Sequence, residues 1–319
     1  MGPLRTLPLY RSKVWAGGKL AGWLPGAPAD SGEAWLVSDV EGEASPISAG
    51  PFAGSTLREA VAAAPAEFLG EAELEVQRAR GEEPRWPVLV KLLDMGPPLS
   101  VQLHPDAAMA RKLGDGERGK CEAWLVLEAG AEARIYAGVP AGADLEQLLA
   151  ACAEGTLGEA HLESFRPLPG EGLAITPGTL HTGKGLLALE VQETSDVTYR
   201  VFDWGRGREL HLDQARQTLS ALGLRPLPPR AGGWSAGRRD LAAGCPFRFD
   251  AWELSEGEGF PLPSDVPGVL VGLEGRVEVH AAGQVHVLER GESLVLPAAL
   301  GGGEVRALGR ARCAHGAAR

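Results

Sequence analysis

Histidine, glutamate and glutamine sit in this chain at the ends of apolar runs, where strands must stop. In LSVQLHPD, residues 99–106, strand alternation puts Leu99, Val101 and Leu103 on one face and Ser100, Gln102 and His104 on the other. Pro105 ends the strand directly after the imidazole, leaving it at the mouth of a β-structure with a carboxamide beside it. Glu122 opens the apolar run of GKCEAWLVL, and a carboxylate entering such a strand must be paired or ligated, because burying it bare is expensive. His181 follows TPGTL in a tight turn after a short strand at 172–176. Two neutral imidazoles and one carboxylate from separate strands can hold a divalent metal with open coordination positions. Such ligands leave no compact signature of the CxxC kind, so spacing alone also reads them as three unrelated polar residues at strand ends.

The other histidines lack a companion. His161 falls in a helical stretch and reads as surface. His280 and His286 have no acidic partner at ligand spacing and read as structural, and His315 lies close to a terminus expected to fray. No Gly-rich phosphate loop stands in a strand–loop–helix context, and no serine or cysteine sits in a nucleophile elbow. Nucleotide chemistry and nucleophilic hydrolysis are therefore disfavoured.

The elements that must position these groups follow from periodicity. Residues 56–80 are rich in Ala, Glu and Leu and predict a helix broken near Pro65. Residues 86–95, WPVLVKLLDM, read as a strand buried on both faces. A short helix at 107–113, strands at 122–127 and 133–136, a helical interlude over 143–165, strands at 172–176 and 186–191, a barrel edge at 196–203 and a last helix near 210–224 complete the first part. PLPPRAGGWSAG, residues 226–237, has the composition of a linker. Beyond it short strands alternate at 247–252, 269–273, 277–280, 285–288 and 293–296. ESLVLPAALGGG from Glu292 echoes EGLAITPGTLHTG from Glu171, with Gly301 where the first copy has His181. The expected division is a metal-binding domain over 1–225 with helical insertions and a smaller β-sandwich over 238–319.

The 319 residues carry a formal charge of −11, which disfavours nucleic acid and anionic membrane as partners, since either needs a basic face. Cys121, Cys152, Cys245 and Cys313 are scattered without a framework and read as reduced thiols of a cytoplasmic protein. No apolar stretch approaches a membrane span, and the first residues lack the apolar segment of a signal peptide.

Several strings, in order, resemble one family: GEAWLVSD, SVQLHPD, GKCEAW, TPGTLHTGKG and LEVQETSDVTYRVFDWGR. They are similar to type I mannose-6-phosphate isomerases, the short bacterial form of the cupin-fold phosphomannose isomerases, from about Pro8 to Arg206. The resemblance implies a mainly β, cupin-type jelly-roll with a second, degenerate jelly-roll at the C-terminus. It also implies one Zn²⁺ per chain and interconversion of mannose 6-phosphate and fructose 6-phosphate by a monomer or weak homodimer. Residue by residue it makes His104, Glu122 and His181 metal ligands, with Gln102 a ligand in part of the family. It places the active-site arginine on Arg200, a lysine that can stabilise an oxyanion or orient substrate on Lys120, and an acid near the metal on Glu190, either base or orienter. Arg200 also reads as a structural partner of Asp196 or Asp203. Cys121 departs from the family pattern between the lysine and the glutamate, and the HxH-then-Glu signature of cupin oxygenases is absent. A metal-binding cupin that senses a sugar phosphate without turning it over, or an isomerase of another aldose, remains an alternative reading. The presence of both Arg200 and Lys120 favours an enzyme.

Overall fold

The computed structural model describes residues 1–116 and 118–319. The helical segment forms as Leu57–Ala63 and Pro65–Ala79, split where the sequence predicts. Thr56 and Glu59 cap the first helix reciprocally, and Pro65 opens the second, where its missing N–H leaves no hydrogen bond unmade. The fold is mainly β, as expected.

A ten-stranded sheet carries the first part of the chain. Strand Val88–Met95, buried along its whole length, lies between Ser31–Val37 and His181–Glu193. The last of these runs beside Glu122–Ala137, which in turn pairs with Gly172–Ile175. Two strands are longer than the hydrophobic pattern suggests. His181–Glu193 continues through Gly185, whose φ of 70° and adjacent register shift mark a bulge. Glu122–Ala137 likewise runs unbroken through EAGAE. His181 is therefore the first residue of a strand, and Gln102 lies opposite it. On the other side of Gln102 lies Arg200 of strand Tyr199–Phe202. Further along, Glu190 faces Lys91 across one strand boundary and Trp124 across the other. Pairing register, rather than proximity in sequence, assembles the site.

Residues from Gly237 onward build a five-stranded and a four-stranded sheet. Period-two alternation buries both faces of the five-stranded one. Leu254, Leu270, Leu294 and Cys313 point towards the four-stranded sheet, whereas Phe249, Val269, Val295 and Ala314 join the core of the first part beside Val88, Val90 and Leu189. The hydrophobic effect fastens the two parts together along that face. The segment 226–237 is not a free tether: Arg230–Ala231 pairs with Leu173 and Gly172.

Two expectations need correction. His315 does not lie in a fraying end but in the strand Ala311–Ala318, paired on both sides and buried. The cysteines are not all free thiols, because Cys121 and Cys245 form a disulfide between the two parts, leaving Cys152 and Cys313 as buried thiols. No helix among the described residues is long and apolar enough to cross a membrane.

Candidate metal centre and active-site cavity

His104, Glu122 and His181 converge, with one potential ligand atom from each lying within 4.8 Å of the others. Among the described residues no other group of three or more His, Cys, Asp or Glu side chains does so. Each is at most 1% exposed. His104 Nε2 stands 3.1 Å from Glu122 Oε2, and His181 Nε2 stands 3.1 Å from Glu122 Oε1. The opposite nitrogens settle the tautomers. His104 Nδ1 lies 2.9 Å from the Val197 carbonyl and His181 Nδ1 lies 3.0 Å from the Thr179 carbonyl. A carbonyl can only accept, so both Nδ1 atoms carry the proton and both Nε2 lone pairs face the carboxylate. Three sets of lone pairs thus point at one another in a dry place. His104 Nε2 and both Glu122 oxygens have no hydrogen bond of acceptable direction, although Lys120 Nζ sits 3.1 Å from Glu122 Oε2. Orphaned, buried acceptors of N and O type fit a divalent metal such as zinc.

Burial, then the neighbouring Lys120 charge, pushes His104 down to about 3, so the imidazole is a neutral ligand at ordinary pH. Burial alone would raise the Glu122 carboxyl, but the Lys120 charge beside it holds it well below the usual carboxylate range. Gln102 turns its amide nitrogen to His181 Nε2, 3.3 Å away, while its oxygen accepts from the Ser100 hydroxyl. Ligation through that oxygen requires the amide to turn over.

Beside the cluster opens a cavity of about 250 Å³ whose wall includes Gln102, Lys120, Glu190 and Arg200. The side chains expected at the site are therefore gathered in one place. The cavity also holds groups that the motifs did not single out. Lys91 is 3% exposed in the middle of a strand, 3.5 Å from Glu190 Oε1 and 3.6 Å from Asp196. Burial disfavours its charge, but Glu190, Asp196 and Glu33 together raise it above the ordinary lysine range. A single lysine inside VLVKLLDM was the available signal, since an apolar strand has no reason to bury a charge unless something opposite needs it. Glu190 is clamped from the other side by Trp124 Nε1, which donates to Oε2 at 2.8 Å. Burial and the Glu122 charge raise the Glu190 carboxyl against the opposing pull of Lys91 and Lys120.

Arg200 gives Nη1 to the Glu209 carbonyl at 2.8 Å, and its buried Nε has no partner. Its two sequence-suggested structural partners are engaged elsewhere, Asp196 with Lys91 and Asp203 with Arg206 and Arg208. Lys13, Lys91, Lys120, Arg200 and Arg208 line the cavity against Glu33, Glu190 and Asp196. This excess of cations makes it a place for an anion in a protein that is acidic overall.

No protein-family model matches the chain. Mannose-6-phosphate isomerase ManA of Bacillus subtilis is 30% identical over 325 residues, 98% of this chain and 97% of that protein. The chain belongs to the mannose-6-phosphate isomerase family. The enzyme of that name from Streptococcus mutans is also 30% identical, over 92% of each chain. Among solved structures, the mannose 6-phosphate isomerase of Bacillus subtilis superposes with a TM-score of 0.79 at 25% identity, covering 99% of both chains. A zinc-bound mannose 6-phosphate isomerase at 18% identity shares the fold, with a TM-score of 0.78 over 100% of both chains. The family is one of aldose–ketose isomerases.

Proposed function

We propose that this chain interconverts mannose 6-phosphate and fructose 6-phosphate with one Zn²⁺ held by His104, Glu122 and His181. The observation that carries the reading is the buried convergence of His104, Glu122 and His181, with the His104 nitrogen and both Glu122 oxygens lacking a hydrogen bond, beside a cation-rich cavity. The relatives' names supply the substrate. When bound, zinc would supply a Lewis acid beside the sugar's C1 and C2 oxygens.

The chain's own residues do the rest. The isomerisation moves a proton between C1 and C2, and the group that moves it must be basic enough to take the proton and weak enough to return it. Glu190, its carboxyl raised by burial and held by Trp124 and Lys91, suits that task. Lys120 presents three N–H donors on the cavity wall to an oxygen that gains charge. Arg200 and Arg208, at the same wall, hold the phosphate and so fix the reacting carbons relative to Glu190.

The test is a coupled assay of zinc-loaded protein on mannose 6-phosphate, with glucose 6-phosphate and free mannose as controls. Turnover of mannose 6-phosphate alone, lost on chelation and restored by zinc, is expected. Turnover unaffected by complete metal removal would refute the metal's role, and activity only on another aldose would refute the substrate.

A further inference from the structure

The disulfide stands where it can act on the metal site. Cys121 immediately precedes Glu122, and Cys245 lies just before the strand Phe247–Leu254, which belongs to the second part of the chain, 124 residues away. Three restraints meet on residues 120–122. Lys120 N–H donates to the Pro105 carbonyl, next to His104, at 3.0 Å. Cys121 N–H donates to Glu193 Oε2 at 2.9 Å, and its carbonyl accepts from Glu193 N–H at 3.1 Å, tying it to the end of the His181 strand. The disulfide ties the same point to the C-terminal sheets. Cys245 Sγ lies 3.7 Å from the Glu122 carbonyl oxygen. In the disulfide that sulfur has no hydrogen. As a thiol it would find an acceptor already in place, so the reduced form leaves no buried donor unpaired.

We propose that Cys121 and Cys245 form a thiol–disulfide switch that sets how firmly Glu122 and its partners retain their metal, driven by a small thiol or its disulfide. The inference rests on the metal reading above. Reduction begins when a thiolate of the small reductant attacks one sulfur, and the electron pair of the S–S bond leaves with the other. A second reductant thiolate then releases the mixed disulfide. Both cysteines end protonated and the reductant ends as its own disulfide. Because both cysteines are 1% exposed, exchange requires the contact between the two parts to open briefly. With the bond cut, that opening is easier and the Glu122 corner is freed more often. The coupling runs both ways: if the bond favours metal binding, bound metal must favour the bond by the same factor.

The experiment uses the full-length protein equilibrated with glutathione disulfide or with dithiothreitol, freed of the reagent by anaerobic gel filtration and then loaded with zinc, because a dithiol itself binds the metal. Thiols are counted after unfolding in guanidinium, and zinc release is followed with a chromophoric chelator. Of the 4 cysteines, Cys152 and Cys313 alone should react in the oxidised form and all should react in the reduced form. Release from the reduced form should be faster by about tenfold or more, the scale on which groups supporting a metal ligand act. Cys245→Ser should release zinc at the reduced rate in either buffer, while Cys152→Ser should respond as the wild type does. If Cys245→Ser does not fold, reduced wild type carries the comparison by itself. Equal release from forms whose thiol counts differ overturns the switch and leaves the metal reading standing, as does full thiol reactivity in glutathione disulfide. Failure of both forms to take up zinc overturns both.

Discussion

Replacing Lys91 with methionine tests the electrostatic reasoning most directly, because it keeps most of the unbranched apolar stem and removes the ammonium group. Lys91 Nζ lies 3.5 Å from Glu190 Oε1, and both side chains are almost fully buried. At an effective dielectric constant of ~20, a unit pair at that distance is worth about 4.7 kcal/mol, or roughly 3.5 pKa units. Lys120 also lowers Glu190, and the adjoining cavity can admit water, so only part of that shift will be expressed. The Glu190 carboxyl should rise by about 1–2 units. If ionised Glu190 takes the proton, the acidic limb of kcat/KM for mannose 6-phosphate moves to higher pH by the same amount. Stability should respond with a matching sign. Between the ordinary carboxylate pKa and the raised folded value, the native state binds more protons than the unfolded chain, so stability falls as pH rises. The assay is a pH–rate profile paired with thermal melts across the same range. A folded Lys91→Met protein whose acidic limb has not moved would remove Glu190 as the base.

Other substitutions separate the remaining roles. Glu122→Gln preserves shape but removes the negative charge among the three acceptors, so zinc content by elemental analysis should fall from about one per chain to near none. Arg200→Lys keeps the charge and loses the planar fork. It should lower kcat/KM by about 10²-fold while zinc content and melting temperature hold, whereas a purely structural arginine would give the reverse pattern. Gly183→Ala places a Cβ 2.8 Å from Met95 Sδ and 3.3 Å from the Trp124 ring. It should cost about 1–3 kcal/mol in denaturant titration and loosen the ring that holds Glu190.

Much of this architecture was legible in the residues. Richness in Ala, Glu and Leu together with Pro65 marked Leu57–Ala63 and Pro65–Ala79, and alternation marked the tail strands. The residues His104, Glu122 and His181 stood out because polar groups at the ends of apolar runs need partners, and a family resemblance named those partners. Lys91 escaped notice because its strand was read for its almost continuous apolar run, although a lysine buried there is itself informative. His315 was misjudged from its distance to the chain end, which does not reveal that the final strand pairs on both sides. The disulfide was out of reach for a similar reason: partners 124 residues apart meet only when two sheets pack. Bulges such as that at Gly185 split one strand's pattern into apparent fragments, since a single extra residue reverses which face each side chain takes.

The protons on the two imidazoles are pinned by the main-chain oxygens of Thr179 and Val197. Every amino acid brings that same oxygen, so no single replacement at position 179 or 197 deletes the group that orients either ring. What a lineage must preserve is the path of the two peptide segments, which many different sequences can trace. The orienting half of the site can therefore drift in composition while its electronic character stays fixed. Mutational scanning should find the half-buried position 197 more permissive than its nearness to the metal would suggest, and insertions or deletions in either loop far less so.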